Sequence, residues 1–172
     1  MKEGLVTERE QATRCLLKYM QAVVPLPMVP LMTRIKFSEI EQFVPAKPGL
    51  YEIYMLDGTA LKVGIGVNLR KRLIQHWRSR QSRLNLKPGG DWNNPADVRS
   101  SQSILAKHLF FAGPIDGFDL KSEAGRQTFL EERCYIRFVV TATRDEARSL
   151  ERKKEASGAF PFAGRVIARR SK

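Results

Sequence analysis

Lys62 stands in the run Ala-Leu-Lys-Val-Gly-Ile-Gly, where strand alternation puts it on the same side as Gly64 and Gly66 and leaves space above the sheet. A lysine there is either a solvent-facing residue on an antiparallel hairpin or one that faces a bound group. Arg72 and His76 lie four residues apart, on one side of a helix and beside its apolar stripe Leu69, Leu73 and Trp77. They border the core, where an arginine can also snorkel to water. Glu151 shares a helix face with Ala147 and Leu150 while Arg148 and Arg152 point away. An inward carboxylate wants a cation: a neighbouring arginine in an ion pair, or a hard divalent ion such as magnesium. Guanidinium and ammonium groups so placed could meet an anion such as a phosphate, and the carboxylate a cation.

Charge points to the same class of partner. The 172 residues carry 30 Lys and Arg against 18 Asp and Glu, a formal net charge of +12, for which a polyanion is the natural complement. Lys62, Arg70, Lys71, Arg72, Arg78, Arg80, Arg83 and Lys87 follow one another with no acidic residue between them. Such a run reads as a phosphate-contacting face, with Arg70, Lys71, Arg78, Arg80, Arg83 and Lys87 as candidate nucleic-acid-binding residues; its bland counterpart is a solvated helix. Cys15 and Cys134 show neither zinc nor disulfide spacing, as expected in a reducing cytoplasm. The start MKEGLVTERE is too acidic for a signal peptide, and VVPLPMVPLM is too short and proline-broken to span a bilayer. A soluble cytoplasmic protein without membrane contact is expected.

The elements that must hold these residues can be read in order. Thr7 and Glu10 open a helix running to about Val23, and alternating prolines then favour an extended connector. A short helix is expected from Ser38 to before Pro45. Gly49 to Met55 and Ala60 to Gly66, joined by an Asp-Gly turn, predict a hairpin. Asn68 caps a helix from Leu69 to about Arg80. Residues 82 to 103, rich in Gly, Pro, Asn and Ser, read as a long loop in which Trp92 could stack on a base or pack back on its own domain. SILAKHLFF suits a strand or a buried helical turn equally. A helix capped by Ser122, the strand CYIRFVV and a helix capped by Thr143 follow. The expected fold is α+β, a small, mainly antiparallel three-stranded sheet flanked by helices over residues 46–172, preceded by a helix and proline-rich connector over 1–45.

Gly49-Leu50-Tyr51, Lys62-Val63-Gly64 and the segment Asn68-Leu69-x-x-Arg72-Leu73 with His76 one turn later together resemble the motifs of the GIY-YIG nuclease superfamily. Ala147, Leu150 and Glu151 are similar to the helix that carries that family's metal-binding glutamate. The likeness is close from Gly49 to His76 and looser near Glu151. Lys62 replaces the second-motif tyrosine, and FPFAGR offers no counterpart to the asparagine that commonly follows the metal-binding helix.

The resemblance implies a metal-dependent endonuclease acting on nucleic acid, DNA rather than RNA. Tyr51 would orient or deprotonate water, helped by Lys62; Arg72 would hold the scissile phosphate; His76 would relay a proton or bind a neighbouring phosphate. Glu151 would anchor one Mg2+ or Mn2+ ion, with no haem, flavin or nucleotide cofactor. Two other readings stand beside it: a nucleic-acid-binding module that keeps the scaffold without turnover, and a basic docking face for an acidic protein.

Overall fold

The structure, a computed structural model, describes residues 31–162. The helix expected from Thr7 and the proline-rich connector before residue 31 lie outside the described residues. The described chain is mixed α+β: a four-stranded antiparallel sheet, a separate two-stranded sheet, and helices packed on them.

The hairpin forms where its residues predict it. β2 (Gly49–Met55) and β3 (Ala60–Gly66) pair in antiparallel register, Tyr51 opposite Gly64 and Ile53 opposite Lys62. Gly58 closes the turn with a φ of +92°, a conformation cheap only for glycine, and the Asp57 carboxylate accepts the Thr59 amide at 2.8 Å. A register shift after Ile53 leaves Leu61 without a partner, which turns Leu61 into the main core beside Ile53. Beyond it, Lys62, Gly64 and Gly66 share the face of Tyr51 and Ile53, while Val63 and Ile65 line the other with Leu50.

The sheet order is β1-β6-β2-β3, with β1 at Thr33–Ile35 and β6 at Cys134–Val140. The expected three strands are therefore four. β1 is only three residues long and pairs with Ile136 to Phe138, a partner distant in the chain, so it leaves no periodic signal. The short helix also begins earlier than Ser38. A 3-10 turn at Phe37–Glu39, whose Glu39 carboxylate accepts the Lys36 amide at 2.7 Å, leads into α1 (Ile40–Phe43), and Phe37, Ile40 and Val44 are fully buried.

α2 (Leu69–Trp77) is capped by Asn68, whose side chain accepts the Lys71 amide at 2.9 Å, and it ends three residues before the expected Arg80. The long loop is not structureless: β4 (Leu84–Leu86) and β5 (Val98–Ser100) pair inside it as a small ribbon. SILAKHLFF resolves as helix α3 (Ile104–Ala112), capped by Ser103, and Leu105 and Leu109 are buried at helical spacing. α4 (Glu123–Arg133) and α5 (Arg144–Ala156) begin at Ser122 and Thr143, whose side chains accept the Gly125 and Glu146 amides. Leu69, Leu73 and Trp77 of α2 pack on the Tyr51 face with Leu105, Leu109 and Phe129, and Leu150 of α5 packs on the opposite face with Leu50, Val63 and Phe160. Among the described residues no helix is long and apolar enough to cross a membrane.

Candidate active site

The ring of Tyr51 lies across Gly64. A Cβ built on Gly64 would stand 2.6 Å from Cζ of Tyr51 and closer still to its hydroxyl, so this strand position has to be glycine for the ring to lie flat on it. Gly64→Ala is expected to cost about 1–3 kcal/mol of stability by overpacking and to displace the phenol. Denaturant unfolding against wild type checks it; an unchanged midpoint would show that the ring can move at no cost.

From that position the Tyr51 hydroxyl lies 2.6 Å from Nε2 of His76, and Nδ1 of His76 lies 2.7 Å from Oγ of Ser103. Both His76 and Ser103 are 1 % exposed, so the pair of hydrogen bonds is shielded from water. Burial, then the charges of Arg72 and Lys62, hold His76 well below its ordinary pKa of 6.5, and the imidazole is neutral. Burial also pushes Tyr51 up to about 12, against the pull of the adjacent Arg72 guanidinium.

Lys62 is only 6 % exposed, and its ammonium donates to the Phe162 carbonyl at 3.1 Å. Phe162 is itself tied to β3, its amide donating to the Leu61 carbonyl at 2.9 Å, so the FPF segment serves here to hold Lys62. Burial, then Arg72, bring the lysine down to about 8, while Glu151 and Glu155 oppose them.

Arg72 donates to the Gln102 carbonyl at 3.2 Å, and its charge acts on Tyr51, Lys62, His76 and Glu151. Glu151 is half-buried. Burial, then the charge of Glu155 one helical turn on, raise its pKa, and Lys62, Arg148 and Arg72 oppose the rise. Two carboxylates that repel each other are of a donor type suited to a divalent ion, which would relieve their repulsion. Among the described residues no group of three or more His, Cys, Asp or Glu side chains is placed to hold a metal ion.

Arg72 thus acts on Tyr51, Lys62, His76 and Glu151, and Lys62 on His76 and Glu151, beside the edge strand β3. The most buried carboxylate, however, is Glu52, on the opposite sheet face. It pairs with Lys154 of α5 at 2.9 Å and accepts the Tyr54 hydroxyl at 2.9 Å, with Arg137 at 3.9 Å. This pair clamps α5 one turn beyond Glu151 and so fixes where Glu151 lies.

The candidate binding residues divide. Lys71 lines a cleft of about 390 Å3 with Arg72, Asn68 and Arg144, and Arg78, Arg80 and Arg83 line a second of about 510 Å3 with Gln102. Gln75 borders both, and Arg72 joins them through its bond to Gln102. Arg70 instead donates to the Val44 carbonyl at 2.6 Å and staples α1 to α2. Arg78 also stacks over Trp77 and pairs with Glu41 at 3.4 Å, and Lys87 pairs with Asp97 at 3.9 Å. Trp92 packs back on Phe110, ring centroids 5.8 Å apart. Cys134 is buried, its thiol pushed up to about 12 by burial, and is unreactive.

Ser103, Glu155, Gln102 and Arg144 escaped the sequence reading. Ser103 and Gln102 come from the segment taken as loop, where only a helix-cap pattern before ILAKHLFF could have drawn attention to Ser103. Glu155 could have been found as the residue four beyond Glu151 on the same face. A scan against protein-family models, a search of curated proteins and a search of solved structures each find no match to this chain.

Proposed function

We propose that the protein is a metal-dependent endonuclease that hydrolyses phosphodiester bonds in nucleic acid, DNA in preference to RNA. The observation that carries this reading is the meeting of a buried phenol, a lysine with its pKa near 8, a guanidinium and a half-buried carboxylate near one strand edge, with Arg72 lining one basic cleft and bonded to Gln102 of a second. Phosphate binding alone calls for arginines and lysines; it gives no reason to bury Tyr51 against a neutral His76 or to set Glu151 beside Glu155.

In this reading Arg72 engages a non-bridging oxygen of the scissile phosphate by charge-assisted hydrogen bonds. Neutral Lys62 accepts a proton from the attacking water, which the Tyr51 hydroxyl, held by His76, orients. The water oxygen bonds to phosphorus, the bond to the leaving oxygen breaks, and the phosphates on either side rest in the two clefts. Glu151, with Glu155 beside it, would hold a divalent ion, whose chemistry would be Lewis-acid stabilisation of charge on the phosphate.

Incubation with supercoiled plasmid and with RNA, in magnesium or in EDTA, tests the reading, with Tyr51→Phe beside wild type. Magnesium-dependent nicking of plasmid that Tyr51→Phe loses is expected. Binding without any cleavage would replace the nuclease by a nucleic-acid-binding module on the same scaffold.

Ser103 sets the orientation of His76, and Ser103→Ala is expected to slow cleavage about 3- to 10-fold, the value of one hydrogen bond, while costing about 1 kcal/mol as a lost helix cap. Ser103→Thr, which keeps the hydroxyl, is expected to restore both. Rates of Ser103→Ala equal to wild type would remove Ser103 from the site.

A further inference from the structure

The ribbon β4–β5 has no part in the chemistry above, yet its two sides are sharply different. Leu84 and Val98 turn inward onto Phe110, with Leu86 and Phe111 beside them. Asn85 and Arg99, directly opposite each other across the strands, turn outward and are exposed. The Arg99 side chain makes no hydrogen bond or ion pair among the described residues, and the Asn85 side-chain amide makes only a 3.4 Å contact with the Arg83 carbonyl. Arg83, just before β4, lines the cleft that holds Arg78 and Arg80.

Resting on the nuclease reading, we infer that this ribbon enters the major groove of duplex DNA and that Asn85 and Arg99 read base edges there, while the cleft of Arg78, Arg80 and Arg83 tracks the adjacent backbone. The B-DNA major groove admits a two-stranded β-ribbon, arginine pairs bidentately with guanine, and asparagine pairs with adenine. Residues directly opposite on an antiparallel pair stand about 5 Å apart, so the two side chains meet neighbouring base pairs. Of the two acidic residues of the ribbon loop, Asp97 is offset by its pair with Lys87. The deep, narrow major groove of A-form RNA is closed to such a ribbon, which makes the substrate DNA.

The ribbon is also fastened to the reacting groups. Ser100, the last residue of β5, donates its hydroxyl to the Ser103 carbonyl at 2.7 Å, and Ser103 holds His76. Register on the duplex and the position of the scissile phosphate are thereby set by one continuous piece of structure.

Selection from a random-sequence duplex DNA library by the full-length protein in EDTA, with duplex RNA as competitor, tests this independently of cleavage. Wild type is expected to enrich a motif containing adjacent G·C and A·T pairs, each discriminated about 5- to 150-fold. In the Asn85→Ala, Arg99→Ala double variant the enrichment at those pairs is expected to vanish, while magnesium-dependent plasmid nicking persists. Duplex binding with no enriched motif overturns the inference, as does a motif unchanged in the double variant or an affinity loss equal for all sequences, the mark of a phosphate contact. Cleavage of plasmid in any of those cases leaves the nuclease standing; absence of both binding and cleavage overturns both.

Discussion

Lys62→Arg is expected to lower the cleavage rate by about 100-fold or more, because general-base assistance is worth about 10²–10⁴-fold and a guanidinium cannot surrender its proton in this range. In wild type the rate should rise with pH until it levels near the lysine pKa of about 8, since only the neutral amine accepts a proton. The arginine variant should show no such limb. Single-turnover cleavage against pH measures both, and a wild-type rate independent of pH between about 6 and 9 would exclude Lys62 as the base.

The same residue makes a prediction about stability. Its folded pKa of about 8 lies below the ordinary 10.5, so between those values the unfolded chain binds more protons and stability rises with pH. The span amounts to no more than about 3 kcal/mol. Lys62→Met removes a charge held out of water, loses a hydrogen bond to Phe162 worth about 1 kcal/mol, and is expected to be about 1–2 kcal/mol more stable than wild type at pH 7. An inactive variant that melts at a higher temperature would mark Lys62 as a residue kept for chemistry at the expense of the fold. His76 works in the opposite range: neutral and buried, with a lowered folded pKa, it contributes stability that is lost as pH falls below about 6.5.

Glu151→Ala is expected to reduce cleavage about 1000-fold or more, leaving affinity for DNA in EDTA within about threefold, because the residue lies outside both basic clefts. It should not unfold the protein. Burial and Glu155 raise the Glu151 pKa, so its ionised form is disfavoured in the folded chain and its removal relieves that cost at neutral pH. Magnesium binding supplies a readout apart from activity: the ion should raise the melting temperature of wild type and not of Glu151→Ala. A magnesium-induced shift equal in the two proteins, or nicking by Glu151→Ala at the wild-type rate, would place the metal elsewhere.

Local chemistry made much of this protein legible in its sequence. Asn68, Ser122 and Thr143 accept the amides their cap positions predict, and Asp57-Gly58 turns the hairpin it predicts, because caps and turns are settled by residues within four positions of one another. Alternation along β3 likewise put Lys62, Gly64 and Gly66 on one face, and the four-residue spacing put Arg72 beside His76. β1 and the β4–β5 ribbon were not legible. Strands of three residues hold too few alternations to make a pattern, and each is stabilised by a partner elsewhere in the chain.

Protonation was decided by tertiary structure alone. A sequence states that Tyr51, Lys62, His76 and Glu151 can titrate; burial and the nearest charges determine that His76 is neutral, that Tyr51 keeps its proton and that Lys62 is poised near 8. Desolvation depends on everything packed around a group, including the Phe162 carbonyl that lies 100 residues from Lys62. Glu52 and Glu151 make the same point as a pair. Both are glutamates facing inward, and only the packing of α5 against β2 makes the first a clamp closed by Lys154 and leaves the second half-buried beside Glu155.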